Sequence, residues 1–424
     1  MEILSRVLDN GLTVFLVPMA GTKTLTGMFI VRAGTKYQNE NEVEIAHFLE
    51  HMAFKGTPRR PRTIDITSAL EGIGGNCNAF TGTDFIAYYI KVPARHSKLL
   101  MNVLSDIILN PLFAPEEIER EKGPVKEELL MAKASPSGNL NYLVMPEMLF
   151  GNHPLAGLRT EEDIDKINRG TLLCYFSDLF CGPNAAVAIA GNISNPETFF
   201  TRLGQVFHGL PYRVPKRQTV PFVETQIAPR IKIVNQDIPQ TLLALCIKCP
   251  SIQSPLRGAI NLLNVVLGSG MSSRLFTKVR ERRGLAYAIR SELDLMVDIG
   301  TFSVFAGLNQ QRWQEGLRII LEQLRLLRDK GISKKELTRA QNMIFGRLAM
   351  ASENSEFLAE SVAESWALLG EAECLEKKIN RIKTVTIDDV RQAAKEILRA
   401  DRMCIAVAGP HEGEKETILK MLNF

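Results

Sequence analysis

One order of segments occurs twice along the chain, and this repeat limits the fold more than any other feature of the sequence. In the first half, strand-like runs at 11–18 and 26–34 precede a helical segment, a glycine-rich turn, another strand-like run at 84–93 and a further helix. The second half repeats this order from residue 230 onward, and each half closes with a strand-like run that ends in Ala-Gly. The repeat predicts an α+β protein of two structurally similar domains, each a mostly antiparallel β-sheet with α-helices packed on it, related by internal duplication.

A proline-bearing stretch over 208–230 separates the two halves. It has no sustained helical or alternating pattern, which is typical of a connection between domains. Its prolines are Pro211, Pro215, Pro221 and Pro229. We therefore predict a first domain over 1–207, a linker over 208–230 and a second domain over 231–424.

The composition excludes several classes of protein. Hydrophobic residues make up 45% and charged residues 23% of the 424 residues, which excludes disordered and low-complexity chains. Fifty-one Lys and Arg stand against 47 Asp and Glu, and the net charge of +4 is too small to predict a nucleic-acid or membrane partner. The partners must therefore be inferred from sites.

The cysteines and the start of the chain bear on the compartment. The seven cysteines are odd in number and lie mostly in apolar stretches, which is typical of reduced, buried thiols. Cys246 and Cys249 form a CxxC inside a strand-like run, and we expect them to pack in a core. The first 18 residues lack the pattern of a signal peptide. We predict a cytoplasmic protein, and the sequence leaves the mitochondrial matrix and export open.

A helix is predicted over the segment NEVEIAHFLEHMAFKGT. Asn41 is the predicted cap, with Glu44 three residues on, and Gly56 is the predicted stop. One face of this helix carries an apolar stripe, which consists of Ile45, Phe48, Leu49 and Met52. The polar side chains of the helix therefore point away from the local core.

The polar face has a pattern that can bind a metal ion. His47 and His51 stand at i and i+4, so their imidazoles can bind one Zn²⁺, and Glu50 lies beside the position that a catalytic metal keeps open. The order is ligand, base, ligand on one turn of helix. The alternative is a chance pattern of two satisfied histidines and an exposed glutamate.

A catalytic zinc takes a third protein ligand, and the carboxylate-rich segment 115–134 is the predicted source. Glu121 and Glu128 are seven residues apart and share one face of a helix, whereas Glu127 lies about 100° away from that face. A ligand supported by a second carboxylate fits this face. Pro124 stands within the same segment, and we expect it to kink or restart the helix.

These residues resemble a known family. His47-x-x-Glu50-His51, followed 77 residues later by Glu128 in EKGPVKEEL, resembles the inverted HxxEH motif of the pitrilysin family. The length is similar to that of the short two-domain members, such as mitochondrial processing peptidase and its bacterial homologues. The resemblance implies that His47, His51 and Glu128 bind one Zn²⁺ per chain, that Glu50 is the general base and that Glu121 is a supporting carboxylate. The segment departs from the usual pattern at Gly123-Pro124.

Two further regions resemble parts of the family that face the substrate. The stretch GSGMSSRLFTKVRERRGLAYAIRS is similar to a stretch of the family's second domain, which implies that Arg280 and Tyr287 hydrogen-bond the substrate and stabilise an oxyanion. The alternative is a surface arginine and a half-buried strand tyrosine. The resemblance also implies an edge strand near residue 80 that binds an extended peptide, with Asn78 and Ala79 beside the scissile bond. A role of these two residues in turn and strand structure is an equally good account.

The predicted function is that of a zinc metalloendopeptidase. It hydrolyses peptides or unfolded segments in a closed chamber by a metal-activated water, and no covalent intermediate is needed. A homodimer is the predicted assembly, and a heterodimer in which this chain is the active half of a processing peptidase is an alternative. The competing class is a non-catalytic core or scaffold subunit of the same fold. The sequence does not distinguish the processing of a leader peptide from the degradation of short peptides.

Overall fold

The computed structural model describes residues 2–151, 153–157 and 160–422. Strands form where the sequence alternates or carries continuous β-branched and apolar residues. The strands are β1 Leu4–Val7, β2 Thr13–Pro18, β3 Thr24–Val31, β4 Asn76–Thr81, β5 Ile86–Pro93, β6 Ala185–Gly191, β7 Arg230–Asn235, β8 Gln240–Cys249, β9 Ala286–Leu295, β10 Gly300–Asn309 and β11 Met403–Gly409.

Helices connect and cover these strands. They are α1 Ile45–Met52, α2 Thr63–Glu71, α3 Ser97–Leu109, α4 Pro115–Ala134, α5 Pro136–Gly138, α6 Met145–Phe150, α7 Glu161–Lys166, α8 Arg169–Leu179, α9 Pro196–Val206, α10 Arg257–Gly268, α11 Trp313–Lys330, α12 Lys334–Ala351, α13 Ser355–Leu369, α14 Leu375–Lys383, α15 Ile387–Ile397 and α16 Lys415–Met421. Two segments are π-helical, Asn139–Val144 and Phe276–Glu281.

The two sheets share one topology. The first has the order β1-β2-β6-β3-β5-β4, and the second has the order β7-β11-β8-β10-β9. In each sheet one pair of strands is parallel, β2 with β6 and β7 with β11, and the other pairs are antiparallel. Without β1, the first sheet matches the second strand by strand, in chain order and in direction. The predicted fold class of two similar α+β domains is confirmed.

The chain forms two compact units, and each unit takes one segment from the other half of the sequence. Unit 1 consists of Met1–Leu129, Arg159–Val220 and Arg347–Lys378, and unit 2 consists of Leu130–Leu158, Pro221–Gly346 and Ile379–Phe424. The two exchanged segments are 130–158 and 347–378. They occupy the same place in the two repeats, because each begins within a long helix, α4 or α12, and precedes the closing strand, β6 or β11. The division of the sequence into domains 1–207 and 231–424, joined by a linker at 208–230, stays a prediction about the two duplicated halves.

Alanines on the closing strands make room for the exchanged segments. In unit 1, Ala186, Ala188 and Ala190 of β6 pack in one core with Leu358 and Val362 of α13. A helix can approach a sheet closely where the side chains of the sheet are this small. Unit 2 repeats the arrangement, because small residues of β8 and β11 pack against apolar side chains of 140–149.

The predicted burial of the CxxC cysteines is confirmed. Cys246 and Cys249 lie in β8 with 2% and 4% of their surfaces exposed, and both are free thiols. Burial raises the pKa of Cys246 to about 12, which keeps this thiol protonated at neutral pH. In the part of the chain that the structure describes, no helix combines the length and the apolar character needed to cross a bilayer.

A larger side chain at Ala188 is expected to destabilise unit 1. Ala188 is fully buried in β6 against α13, so Ala188→Leu overpacks this interface and should cost about 1–3 kcal/mol of unfolding free energy. Thr201→Leu, on an exposed position of α9, is the matched control and should stay within about 0.5 kcal/mol. Urea unfolding followed by circular dichroism measures both, and an unchanged midpoint for Ala188→Leu would contradict the close packing of α13 on the sheet.

Candidate active site

Helix α1 positions the histidines, and it begins three residues later than predicted. The prediction of Asn41 as its cap is wrong, because the helix starts at Ile45 and the residue before it, Glu44, has a left-handed backbone with φ 70°. The N–H of Ala46 in the first turn donates to Oε1 of Gln38 at 3.1 Å, which replaces the predicted cap. The chain therefore turns sharply at Glu44 and enters the helix directly.

The end of α1 also differs from the prediction. The helix ends at Met52, and Gly56 lies in the loop beyond it with φ 131°. The predicted apolar stripe is confirmed, and its members are buried: Ile45, Phe48, Leu49 and Met52. Burial of this stripe fixes the rotation of the helix, which leaves the opposite face with His47, Glu50 and His51 partly exposed.

The structure brings the two histidines of α1 and Glu128 of α4 together. Nε2 of His47 lies 3.2 Å from Nε2 of His51. The carboxylate of Glu128 lies 3.4 Å from Nε2 of His47 and 3.9 Å from Nε2 of His51. One ligand atom from each of the three residues falls within 4.8 Å of the other two. Glu127, the neighbour that could have replaced Glu128, is exposed and does not belong to this group.

The donor atoms fit a zinc ion. Ligands about 2.0–2.1 Å from zinc in tetrahedral geometry lie about 3.3–3.4 Å from one another, close to the spacing of the two nitrogens and of His47 to Glu128. Each histidine has a carboxylate at Nδ1, which favours a proton on Nδ1 and a lone pair on Nε2. With the protons on Nδ1, the two Nε2 atoms 3.2 Å apart can both donate their lone pairs to one cation. Two imidazoles and one carboxylate are also the ligand set of many catalytic zinc sites.

Glu121 supports His51 from the same helix that carries Glu128. Its Oε1 lies 2.8 Å from Nδ1 of His51, and its Oε2 pairs with the ammonium of Lys55. Burial by itself would raise the pKa of Glu121, but the hydrogen bonds from His51 and Lys55 hold that pKa below its usual value. Glu121 is therefore a carboxylate at neutral pH.

The expected restart of the helix at Pro124 is wrong, and a kink at this residue stays a prediction. The helix runs from Pro115 to Ala134 as one element, with Pro124 inside it. Burial of Ile118, Val125 and Leu129 on one face explains this result, since tertiary packing outweighs the loss of one backbone hydrogen bond. Continuity of the helix places Glu121 and Glu128 on the side that faces α1.

His47 has its own carboxylate partner. Oε2 of Glu44 lies 3.1 Å from Nδ1 of His47. Burial by itself would lower the pKa of His47, but the hydrogen bond and charge of Glu44, with the charges of Glu50 and Glu128, raise it above its usual value. Three carboxylates therefore favour a positive charge at the His47 ring.

Glu50, the predicted base, is oriented by the neighbouring strand. The hydroxyl of Thr81 donates to Oε2 of Glu50 at 2.6 Å. Thr81 is the last residue of β4, which lies at the edge of the first sheet and pairs with β5 on one side. The base is therefore held against the same strand for which the sequence predicts peptide binding.

Asn78 and Ala79 lie in the middle of this edge strand. The amide oxygen of Asn78 accepts from the backbone N–H of Ala79 at 2.9 Å, which keeps the side chain of Asn78 folded onto its own strand. Ala79 is 9% exposed. The edge position of β4 agrees with the prediction, and the contact of these residues with a peptide stays a prediction.

Arg280 and Tyr287 lie together in unit 2. Arg280 is on the π-helical segment, its guanidinium carbon lies 5.7 Å from the ring centre of Tyr287 on β9, and Tyr287 is 76% exposed. π-Helical segments are frequent at functional sites. Arg274 anchors this segment through two hydrogen bonds to Glu336, at 2.6 and 2.9 Å. The pair therefore has the exposure that an oxyanion or peptide ligand requires.

Comparison with known families decides the class of the chain. A profile described as Insulinase (Peptidase family M16) matches residues 14–157, and a profile described as Peptidase M16 inactive domain matches residues 166–344. An uncharacterized zinc protease of Mycobacterium tuberculosis is 31% identical over 402 residues, which cover 93% of this chain and 90% of the relative. The chain belongs to peptidase family M16. Its resemblance to the short two-domain type of the pitrilysin family is thereby confirmed.

Other relatives extend the same comparison. The uncharacterized zinc protease YmxG of Bacillus subtilis is 29% identical over 398 residues, covering 93% of this chain and 95% of the relative. A solved protease from Helicobacter pylori superposes with a TM-score of 0.88 at 21% identity and covers 96% of this chain and 99% of that chain. The solved peptidase M16 inactive domain from Pseudomonas fluorescens gives 0.89 at 21% identity, covering 97% and 98%. The solved structures establish the fold, and the relatives' names support a metallopeptidase with zinc as the metal of this M16 family member.

Sequence reasoning missed three residues: Thr81 and Glu44, which contact the predicted metal site, and Arg274, which is hydrogen-bonded to Glu336 just before the segment that carries Arg280. Thr81 carries a weak signal, since it follows Asn78 and Ala79 in a strand already expected to lie at the site. Arg274 stands in the same stretch as Arg280, and only its ion pair with Glu336 separates it from other surface arginines. Glu44 had been assigned to the predicted helix cap, and nothing in the sequence indicates its left-handed backbone.

The choice between Glu128 and its neighbour can be tested by zinc binding. Glu128→Gln removes one of the three proposed ligands. Loss of a residue that only hydrogen-bonds a ligand weakens metal binding by roughly 10–100-fold, and we expect Glu128→Gln to weaken zinc binding by more than that. Glu127→Gln removes the same charge from the adjacent, exposed position and should leave the affinity within about twofold. Competition with a chromophoric chelator measures both dissociation constants. Equal losses in the two variants would remove Glu128 as the specific ligand.

Proposed function

We propose that this M16 chain is a zinc metalloendopeptidase that hydrolyses peptides or unfolded segments in a closed chamber. The observation that carries the proposal is the convergence of His47, His51 and Glu128, with Glu50 on the same turn of α1. The proposed stoichiometry is one Zn²⁺ per chain, held by these three residues. Relatives named zinc proteases support the metal.

Each residue of the site has a proposed role in the reaction. Zn²⁺, when bound, acts as a Lewis acid and lowers the pKa of a water ligand to about 7. The carboxylate of Glu50 accepts the proton of the attacking water and later passes a proton to the leaving amine. Thr81 keeps one oxygen of Glu50 engaged and thereby orients the carboxylate. Arg280 and Tyr287 donate hydrogen bonds to the oxyanion that forms at the substrate carbonyl.

The substrate is proposed to bind as an added strand. β4 pairs with β5 on one side only, so its outer edge offers backbone N–H and C=O groups to an extended peptide. Thr81 joins this strand to Glu50, so a peptide on the edge lies beside the base. Asn78 and Ala79 are the proposed neighbours of the scissile bond. Main-chain pairing of this kind accepts varied side chains, which suits an unfolded substrate.

The alternative of a non-catalytic scaffold subunit is disfavoured by the retained ligand set. Helix α10 is the counterpart of α1 in the second repeat, because it follows β8 as α1 follows β3. It contains no histidine, cysteine or acidic residue, so it has no metal ligands. The profile described as an inactive domain matches residues 166–344, which include α10 and do not include His47, Glu50, His51 or Glu128. The description therefore applies to a part of the chain without the motif.

Assembly and compartment are further parts of the proposal. One chain has both the metal-binding residues and the Arg280 and Tyr287 pair, which makes a homodimer of identical, complete subunits the simplest assembly. A heterodimer with a degenerate partner, in which this chain is the active half of a processing peptidase, is the alternative. Mass photometry of the purified chain, alone and after co-expression with neighbouring gene products, distinguishes the two. The cytoplasm is the proposed compartment.

Glu50→Gln is the direct test of the proposed chemistry. The amide keeps the size and the hydrogen-bonding partner of Glu50 but cannot accept a proton, so hydrolysis should fall by a factor of about 10²–10⁴. Zinc content should stay near one ion per chain, because Glu50 is not a ligand. A quenched mixed-peptide library with mass spectrometry of the products measures the activity, and chelator treatment of the parent protein is the positive control for metal dependence. Near-normal turnover by Glu50→Gln would remove Glu50 as the base.

Thr81 is expected to affect the rate without affecting the metal. Thr81→Val keeps the shape of the side chain and deletes the hydrogen bond to the Glu50 carboxylate, a type of bond worth about 1.5–3 kcal/mol. We expect kcat to fall roughly tenfold or more with unchanged zinc content, and Thr81→Ser to restore most of the rate. Steady-state kinetics with one peptide substrate measure this, and a loss in Thr81→Ser as large as in Thr81→Val would contradict the role of the hydroxyl.

A further inference from the structure

Glu44 has a backbone conformation that glutamate rarely adopts. Its φ is 70° and its ψ is −4°, and among the described residues only one other non-glycine residue, Phe113, has a positive φ. Side chains other than glycine are disfavoured in this left-handed region, and residues held there often mark functional sites. The sequence therefore keeps glutamate at a position where glycine would be less strained.

The side chain of Glu44 is also in an unfavourable environment for a carboxylate. Only 4% of the residue is exposed, and burial of a carboxylate costs free energy unless hydrogen bonds or charges compensate for it. Oε2 of Glu44 lies 3.1 Å from Nδ1 of His47, three residues farther along the chain. The left-handed turn places Glu44 directly before α1, and its carboxylate reaches this ring from there. The strained backbone and the burial of Glu44 thus both accompany the contact of its carboxylate with His47.

The contact repeats, on the other histidine, the arrangement made by Glu121. Nδ1 of His51 faces Oε1 of Glu121 at 2.8 Å, and Nδ1 of His47 faces Glu44. The two Nε2 atoms consequently face each other and Glu128. A carboxylate on the outer nitrogen of a ligating histidine fixes the tautomer and the ring orientation and increases the basicity of the inner nitrogen.

We propose that Glu44 is a positioning residue that holds the imidazole of His47 with Nε2 directed at the metal and so strengthens zinc binding. The proposal rests on the proposed function, since it assumes that His47 is a ligand. Glu44 and Glu121 then form a pair of outer carboxylates, one for each histidine. Glu121 also pairs with Lys55, and Glu44 reaches His47 from three residues earlier in the chain.

A purely structural role for Glu44 makes different predictions. A carboxylate at the start of α1 would stabilise the helix through its dipole, and removal would then lower the stability of the metal-free protein. The positioning role instead predicts weaker zinc binding without loss of metal-free stability. Glycine separates the two, because it adopts φ 70° without strain and preserves the start of the helix.

The experiment compares zinc binding and metal-free stability in four variants. Glu44→Gly and Glu44→Gln should raise the zinc dissociation constant by about 10–100-fold, and Glu121→Gln should have an effect of similar size. Glu40→Gln removes an exposed carboxylate from the same loop and should stay within about twofold of the parent. Competition with a chromophoric chelator gives the constants, and the absorption bands of the Co²⁺-loaded protein report the ligand geometry, which should change in the Glu44 variants and not in Glu40→Gln.

The outcomes separate this proposal from the proposed function. Zinc affinity within twofold of the parent in both Glu44 variants would overturn the positioning role while leaving the metallopeptidase proposal intact. A lower thermal midpoint of metal-free Glu44→Gly with unchanged zinc affinity would assign Glu44 to the helix start and would likewise overturn it. A parent protein that binds no zinc would overturn both. Retained folding with weakened zinc binding in Glu44→Gly is the result that we expect.

Discussion

The approach of His47 and His51 on one turn of α1 is the interaction on which the account of this protein depends. Two imidazole nitrogens 3.2 Å apart, each in a ring whose Nδ1 faces a carboxylate, can share one cation between them. Helix geometry supplies the spacing, because residues at i and i+4 share a face. The buried stripe on the other side of α1 supplies the orientation, since it fixes which face points outward. Glu128 then completes a set of two imidazoles and one carboxylate, which is a ligand set of catalytic zinc sites.

The rest of unit 1 serves to hold this set in place. α4 carries Glu121 and Glu128 on the side that faces α1, and its unbroken course through Pro124 keeps the two carboxylates in register. β4 approaches from the edge of the sheet and engages Glu50 through Thr81. Unit 2 repeats the topology without the metal motif and has instead an arginine and an exposed tyrosine on neighbouring elements. One topology thus carries two different candidate sites.

Much of this could be predicted from the sequence, for physical reasons that are local. Strand periodicity and the closing Ala-Gly runs predicted the repeated topology, and the spacing of His47, Glu50 and His51 on an amphipathic helix predicted the metal face. The remaining features depend on contacts between distant segments. The exchange of 130–158 and 347–378 between the units has no local signal, because each segment is an ordinary helical run wherever it packs. The left-handed backbone of Glu44 is a further feature that no pattern of residue types near Asn41 indicates.

X-ray absorption spectroscopy of the zinc-loaded protein tests the central claim most directly, because it reports the atoms around the metal. The account predicts four light ligands at about 2.0–2.1 Å, with the multiple-scattering signature of two imidazoles and with oxygen as the remaining neighbours. A sulfur neighbour at about 2.3 Å, or the scattering of fewer than two imidazoles, would show that the metal binds elsewhere and would contradict the assignment of His47, His51 and Glu128.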